Sequence, residues 1–135
     1  GATDIIQGDI EDPVEIINEM TKGRGAEVVV EATGKVEAVT QAMEAAAGGG
    51  LILMGGSGFG GHEISFKPWN VVRDEKKLKG LQGFEWADYL LALDLYSAGK
   101  MKIAPLISGV MPLSEVNEAC EIAEAKKGMK IVLRP

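Results

Sequence analysis

Apolar residues along this chain follow two periodicities that alternate. The run AEVVVEA at 26–32 is β-branched with no polar alternation inside it, the pattern of a parallel strand covered on both faces, and LILM at 51–54 repeats it. Between them Val36, Val39 and Met43 recur at helical spacing, which predicts a helix from Val36 to Ala47 that stops at Gly48-Gly49-Gly50. Upstream, TDIIQ at 3–7 predicts a short strand. Asp12-Pro13-Val14-Glu15 then supplies an N-cap, a proline suited to the first helical position and the glutamate of a capping box. Val14, Ile17 and Met20 carry that helix, and Gly23 ends it.

Downstream, HEISF at 62–66 alternates and predicts an exposed edge strand, and Pro68 restarts a helix through about Asp74. KLKGLQG at 77–83 predicts a strand and EWADYLLALDLYSAG at 85–99 a helix. PLISGVM at 105–111 predicts a further strand, followed by a helix from Ser114 to Lys127, capped by Ser114 and closed by Gly128. KIVL at 130–133 predicts a last strand. Strands and helices in this rhythm indicate an α/β layered parallel sheet.

Size and composition narrow the picture. At 135 residues and 46% hydrophobic content the chain is long enough for one core and short for two ordinary domains. A net charge of −6 without a basic stripe argues against nucleic acid or an anionic membrane as partner, and no apolar run reaches the ~18 residues of a membrane span. The single Cys120 excludes an internal disulfide and fits a cytoplasmic location. Gly1 opens the chain and no methionine precedes Met20, which predicts a native start upstream.

The chemistry-bearing motifs are few. Gly56-x-Gly58-x-x-Gly61 has the spacing of a dinucleotide-binding loop and follows an apolar run. A working fingerprint also needs a helix directly after it and an acidic residue about 20 positions on. HEISFKP follows instead, and Lys79 to Gly83 contain no carboxylate, so these glycines are expected to form a strand-end loop. One His and one Cys cannot supply the three or four ligands of a usual zinc site. His62 is expected to be solvated and Cys120 to be a small buried hydrophobe. Ser57 lacks the G-x-S-x-G of a nucleophile elbow, and neither Gly34-Lys35 nor Gly99-Lys100 belongs to a Walker loop. Trp69, Trp86 and Tyr89 are expected to pack on helix faces.

Two segments carry a resemblance. GRGAEVVVEATG at 23–34 and LISGVMPLSEVNEA at 106–119, set between the GATDII opening and the IVLRP close, resemble the C-terminal half of the zinc-type medium-chain alcohol and polyol dehydrogenases over almost the whole chain. The resemblance implies a Rossmann-like parallel sheet with flanking helices, truncated by the first two strands of the coenzyme domain. It also implies that the GroES-like catalytic domain, with its Cys and His zinc ligands, is absent from these 135 residues. The cofactor implied is NAD or NADP, with zinc in the parent enzyme only.

Family contacts carried onto matching positions put Thr33, Gly34 and Lys35 beside the adenosine and its ribose. Met54, Gly55 and Gly56 fall at the nicotinamide ribose and carboxamide, Leu81, Gln82 and Gly83 at the carboxamide, and Lys130 near the pyrophosphate. No catalytic residue is assigned. The parent would pass a hydride from a small alcohol or polyol to nicotinamide, and this chain alone would be inactive. In dimeric members the segment matching His62–Phe66 is an edge strand that pairs across a two-fold, which implies a homo-oligomer. The edge of AEVVVEA would need cover from TDIIQ or another chain. A non-catalytic interaction or oligomerisation module, and a zinc-free quinone or enoyl reductase of the same superfamily, stay open as alternatives.

Overall fold

A computed structural model describes residues 2–56, 58 and 60–135. Asp12 starts the first helix as its spacing predicts. Its Oδ1 accepts the Val14 N–H at 2.8 Å and the Glu15 N–H at 3.4 Å, and Pro13 takes the first position of α1 (Pro13–Met20). The Thr21 hydroxyl then donates to Ile17 O at 2.7 Å and accepts from Gly25 N–H at 2.9 Å. This bracket turns the chain through Gly23 into β1 (Ala26–Glu31).

Helix α2 (Val36–Ala45) runs directly into β2 (Ala46–Met54). The glycines expected to stop the helix lie inside the strand instead. Ala26 of β1 pairs with Ala46, yet Val28 pairs with Leu51, so residues 47–50 form a bulge in β2 before the ladder resumes. A short helix, α3 (Pro68–Arg73), leads to β3 (Lys77–Gly80), which pairs parallel with β2. The order is β1-β2-β3, all parallel, and the register aligns Glu31 with Met54 and Met54 with Gly80. The three strands therefore end level.

One face of this sheet holds the core. Val39, Ala42 and Met43 of α2 pack with Ala46 and the fully buried Ile52, and Val29, Met54, Ile64 and Val71 close around them. Burying each large side chain of this set contributes roughly 1.5–3 kcal/mol. The opposite face is open: Val28 is 56% exposed and Val30 60%. The expectation that AEVVVEA is covered on both faces is thus corrected, because α2 packs only against the side that Val29 occupies.

Two predicted strands are also corrected. Residues 3–7 form no strand and Ile5 is 86% exposed; β1 pairs with β2 alone among the described residues, and TDIIQ does not close its edge. Residues 62–67 are irregular, so His62–Phe66 is not an edge strand. Of its apolar pair, Ile64 reaches the core while Phe66 stays half exposed. Alternation would place both on one face, but a strand also needs a partner for its backbone groups.

The chain divides into two compact units, residues 1–83 and 84–135. In the second, Asp88 Oδ2 accepts Glu85 N–H at 2.9 Å at the start of α4 (Trp86–Ser97). A 3-10 turn, Ala104–Leu106, leads to β4 (Ile107–Pro112), and another, Leu113–Glu115, to α5 (Val116–Glu124) and β5 (Lys130–Arg134). β4 and β5 pair in parallel as a separate two-stranded sheet. Ser114 falls inside the second 3-10 turn and caps nothing; α5 starts at Val116 with no side-chain cap. The helix ends at Glu124, short of Lys127, and Gly128 instead lies against Ser108, whose Oγ accepts Met129 N–H at 2.8 Å.

Cys120 is exposed, and Ala119 beside it is the buried residue of α5, so the small-hydrophobe expectation belongs one position earlier. The aromatic side chains are also more open than expected. Trp69 is 65% exposed and Trp86 70%, with Trp86 stacked on Tyr89 at 5.3 Å between ring centroids.

Candidate functional site

The level strand ends of the first unit collect nine of the ten candidate residues. Gly55 N–H donates to Glu31 O at 2.8 Å and Leu81 N–H to Met54 O at 2.9 Å, so the ladder runs one residue past each strand before the loops diverge. Thr33-Gly34-Lys35, Met54-Gly55-Gly56 and Leu81-Gln82-Gly83 accordingly share one sheet edge. Thr33, Lys35, Gly55, Leu81, Gln82 and Gly83 are exposed there, and Gly34 is buried. Lys130 is not among them: it opens β5 in the second unit, exposed, at the amino end of a strand.

The centre of this edge is a residue to which the sequence patterns assign no role. Glu31 is the last residue of β1 and is 4% exposed. Its Oε1 accepts the Thr33 hydroxyl at 2.6 Å, Thr33 N–H at 2.7 Å and Gly34 N–H at 2.9 Å. Oε2 is buried with no hydrogen-bond partner among the described residues. Burial pushes the carboxyl pKa up, but the Thr33 hydroxyl and the backbone N–H groups of Thr33, Gly34 and Gly56 outweigh it and hold the group below its ordinary 4.5. Gly56 acts here as a nearby dipole without the geometry of a full hydrogen bond. A carboxylate two residues before Thr-Gly, at the end of an apolar run, is the sequence signal for this turn.

Glycine at 56 has a local reason. A β-carbon there would overlap the backbone nitrogen and α-carbon of Gly34 and stand 2.7 Å from Glu31 Oε2. Gly34 itself turns at φ +74°, in the left-handed region. The loops after β1 and β2 thus meet backbone to backbone. Gly61 is followed by irregular chain rather than a helix, and no helix N-terminus faces the glycines from residues 62–67. The exclusion of Ser57 as a nucleophile falls on a residue outside those described.

A cavity of about 630 Å³ contains none of the ten candidates. It lies between α2 and α3, lined by Met43, Phe66, Lys67, Arg73, Asp74 and Lys76. Lys76 Nζ donates to Met43 O at 2.6 Å and so satisfies a carbonyl at the end of α2. A smaller cavity of about 170 Å³ reaches Glu31, Ala32 and Thr33 from between α1 and α2. Open strand ends, rather than an enclosed pocket, make the better ligand edge, since ligands of parallel α/β sheets sit outside the carboxyl ends of strands.

The described residues do not fit a zinc ion: no group of three or more His, Cys, Asp or Glu side chains could hold a metal. No helix among them is long and apolar enough to cross a membrane.

Comparison with known proteins agrees with this architecture. The family model described as zinc-binding dehydrogenase matches residues 1–98. D-xylulose reductase A of Aspergillus oryzae is 31% identical over 124 residues, 92% of this chain and 34% of that protein. L-threonine 3-dehydrogenase of Symbiobacterium thermophilum is 32% identical over 137 aligned positions, 100% of this chain and 39% of that protein. Among solved structures, an alcohol dehydrogenase from Thermotoga maritima superposes with a TM-score of 0.88 at 25% identity, covering 97% of this chain and 37% of that one. The chain therefore spans little more than a third of the proteins it matches, and its α/β fold is that of Rossmann-type alcohol dehydrogenases. With a family match over most of its length, the chain belongs to the zinc-binding dehydrogenases.

Proposed function

We propose that this chain forms part of the coenzyme-binding portion of an NAD(P)-dependent alcohol or polyol dehydrogenase. In that enzyme a hydride passes from a small hydroxyl substrate to nicotinamide. The observation that carries the reading is the level ending of three parallel strands at Glu31, Met54 and Gly80, which brings Thr33–Lys35, Met54–Gly56 and Leu81–Gly83 to one open edge. The names of the relatives supply the reaction class: a D-xylulose reductase, an L-threonine 3-dehydrogenase and an alcohol dehydrogenase.

In this proposal residues 33–35 face the adenosine side of the coenzyme and residues 54–56 and 81–83 the nicotinamide side. The exposed backbone of Gly55 and Gly83 suits close approach of a flat ring, because no β-carbon stands in the way. Zinc would polarise the hydroxyl in the parent enzyme, held by Cys and His residues that this chain does not supply. The chain is a partial dinucleotide-binding domain in this reading, with no dehydrogenase activity by itself.

Titrating the purified chain with NADH and NADPH, followed by amide chemical shifts, tests the reading. Shifts confined to the three loops support it. Unmoved loops at millimolar coenzyme, or measurable alcohol oxidation by the chain alone, count against it.

A second reading has its own observation. No residue of α4 is buried, and Phe84, Trp86 and Leu91 are 76%, 70% and 57% exposed, a surface suited to a protein interface. Light scattering of the purified chain separates a monomer from a self-associating module.

A further inference from the structure

We infer that the Glu31 carboxylate is a joint between the two strand-end loops, one oxygen holding the loop after β1 and the other facing the loop after β2. Its role in function rests on the coenzyme reading above; the joint itself does not.

Oε1 already accepts three donors, all from Thr33 and Gly34. Oε2 is buried, lacks a hydrogen-bond partner among the described residues, and lies 2.7 Å from where a Gly56 β-carbon would stand. The backbone N–H of Gly56 is among the groups that lower the Glu31 pKa, so this loop supplies positive charge to the buried carboxylate. Gly56 in turn presses on the backbone of Gly34, which Oε1 holds. Carboxylate, first loop and second loop form a closed triangle, so neither loop can shift without disturbing the other.

In the proposed site these loops seat opposite ends of the coenzyme. Glu31, at 4% exposure, is too buried to be a contact residue and is a positioning residue. A single side chain would then set the spacing between the adenosine seat and the nicotinamide seat, which is the preorganisation that binding an extended ligand requires.

The test uses the whole ¹⁵N-labelled chain and two variants. In Glu31→Gln one oxygen becomes an amide, so either three donors lose their acceptor or an NH₂ faces the Gly56 peptide. Amide exchange at both Gly34 and Gly56 is expected to accelerate about tenfold, with Ile52 unchanged. Thr33→Val removes one donor to Oε1 and leaves the carboxylate in place; the Gly56 amide is still expected to shift, with Glu31 transmitting the change. If Gly34 responds in both variants while Gly56 stays still, Glu31 braces only its own turn and the joint is refuted. Should Glu31→Gln fail to fold, Thr33→Val decides alone.

Coenzyme affinity supplies the functional arm. Glu31→Gln is expected to raise the NADH dissociation constant about tenfold, and an unchanged constant overturns the positioning role. If NADH moves none of the loop amides in the unsubstituted chain, the coenzyme reading fails while the amide comparison still decides the joint.

Discussion

Gly56 lies directly on Gly34, so that any β-carbon on the first would overlap the backbone of the second. Two loops separated by more than twenty residues are in backbone contact at the carboxyl edge of the sheet, and that contact depends on glycine at 56.

Substitution at neighbouring glycines should therefore give opposite results. Gly56→Ala is expected to destabilise the chain by about 1–3 kcal/mol through overpacking. Gly55→Ala should stay within about 0.5 kcal/mol, because the nearest atoms to its added carbon are at 3.7 and 3.8 Å. Urea midpoints for the two variants check this; equal losses would contradict the crowding at Gly56.

The two faces of the sheet should respond just as differently. Ile52 is fully buried against α2, and Ile52→Ala is expected to lose about 2–5 kcal/mol. Val30→Thr, on the open face, should change stability by less than about 0.5 kcal/mol. Thermal denaturation compares them, and a large loss at Val30 would mean that its face is covered in solution.

Stability should fall in acid through Glu31. Its folded pKa lies below the ordinary 4.5, so its contribution is fully present above that pH and is lost as pH drops through the lower folded value. Asp74, lowered by its hydrogen bond from Arg73, acts with the same sign. Glu31→Gln should thus flatten part of the pH dependence below 4.5 and leave the Asp74 part. Urea unfolding of both proteins between pH 3 and 7 measures the difference, and parallel curves would remove Glu31 from the account.

Lys76 should matter through a carbonyl rather than through its charge. Lys76→Met keeps most of the stem but leaves Met43 O without the donor now at 2.6 Å, and is expected to cost about 1–3 kcal/mol. Its ion pair with Asp74 is long, at 3.8 Å, so the difference from the unsubstituted chain should change little with added salt. A difference that shrinks as salt screens the pair would instead favour the charge.

Much of the fold was legible in the chain itself. Asp12-Pro13 marks a helix start, Val36, Val39 and Met43 mark a buried helical face, and AEVVVEA and LILM mark parallel strands, because each signal is local and rests on backbone geometry or side-chain period. The family also left its mark in residues 23–34, and the family match includes that segment.

Other features depended on partners that are distant in sequence. TDIIQ and HEISF read as strands but have no strand neighbour among the described residues to take their hydrogen bonds, so they are irregular. Val28 and Val30 are as apolar as Val29, and only the placement of α2 on one side decides which of them is buried. The meeting of Gly34 with Gly56 around a buried Glu31 is likewise a property of the level sheet edge: the residue types are written in the chain, but parallel register brings them together.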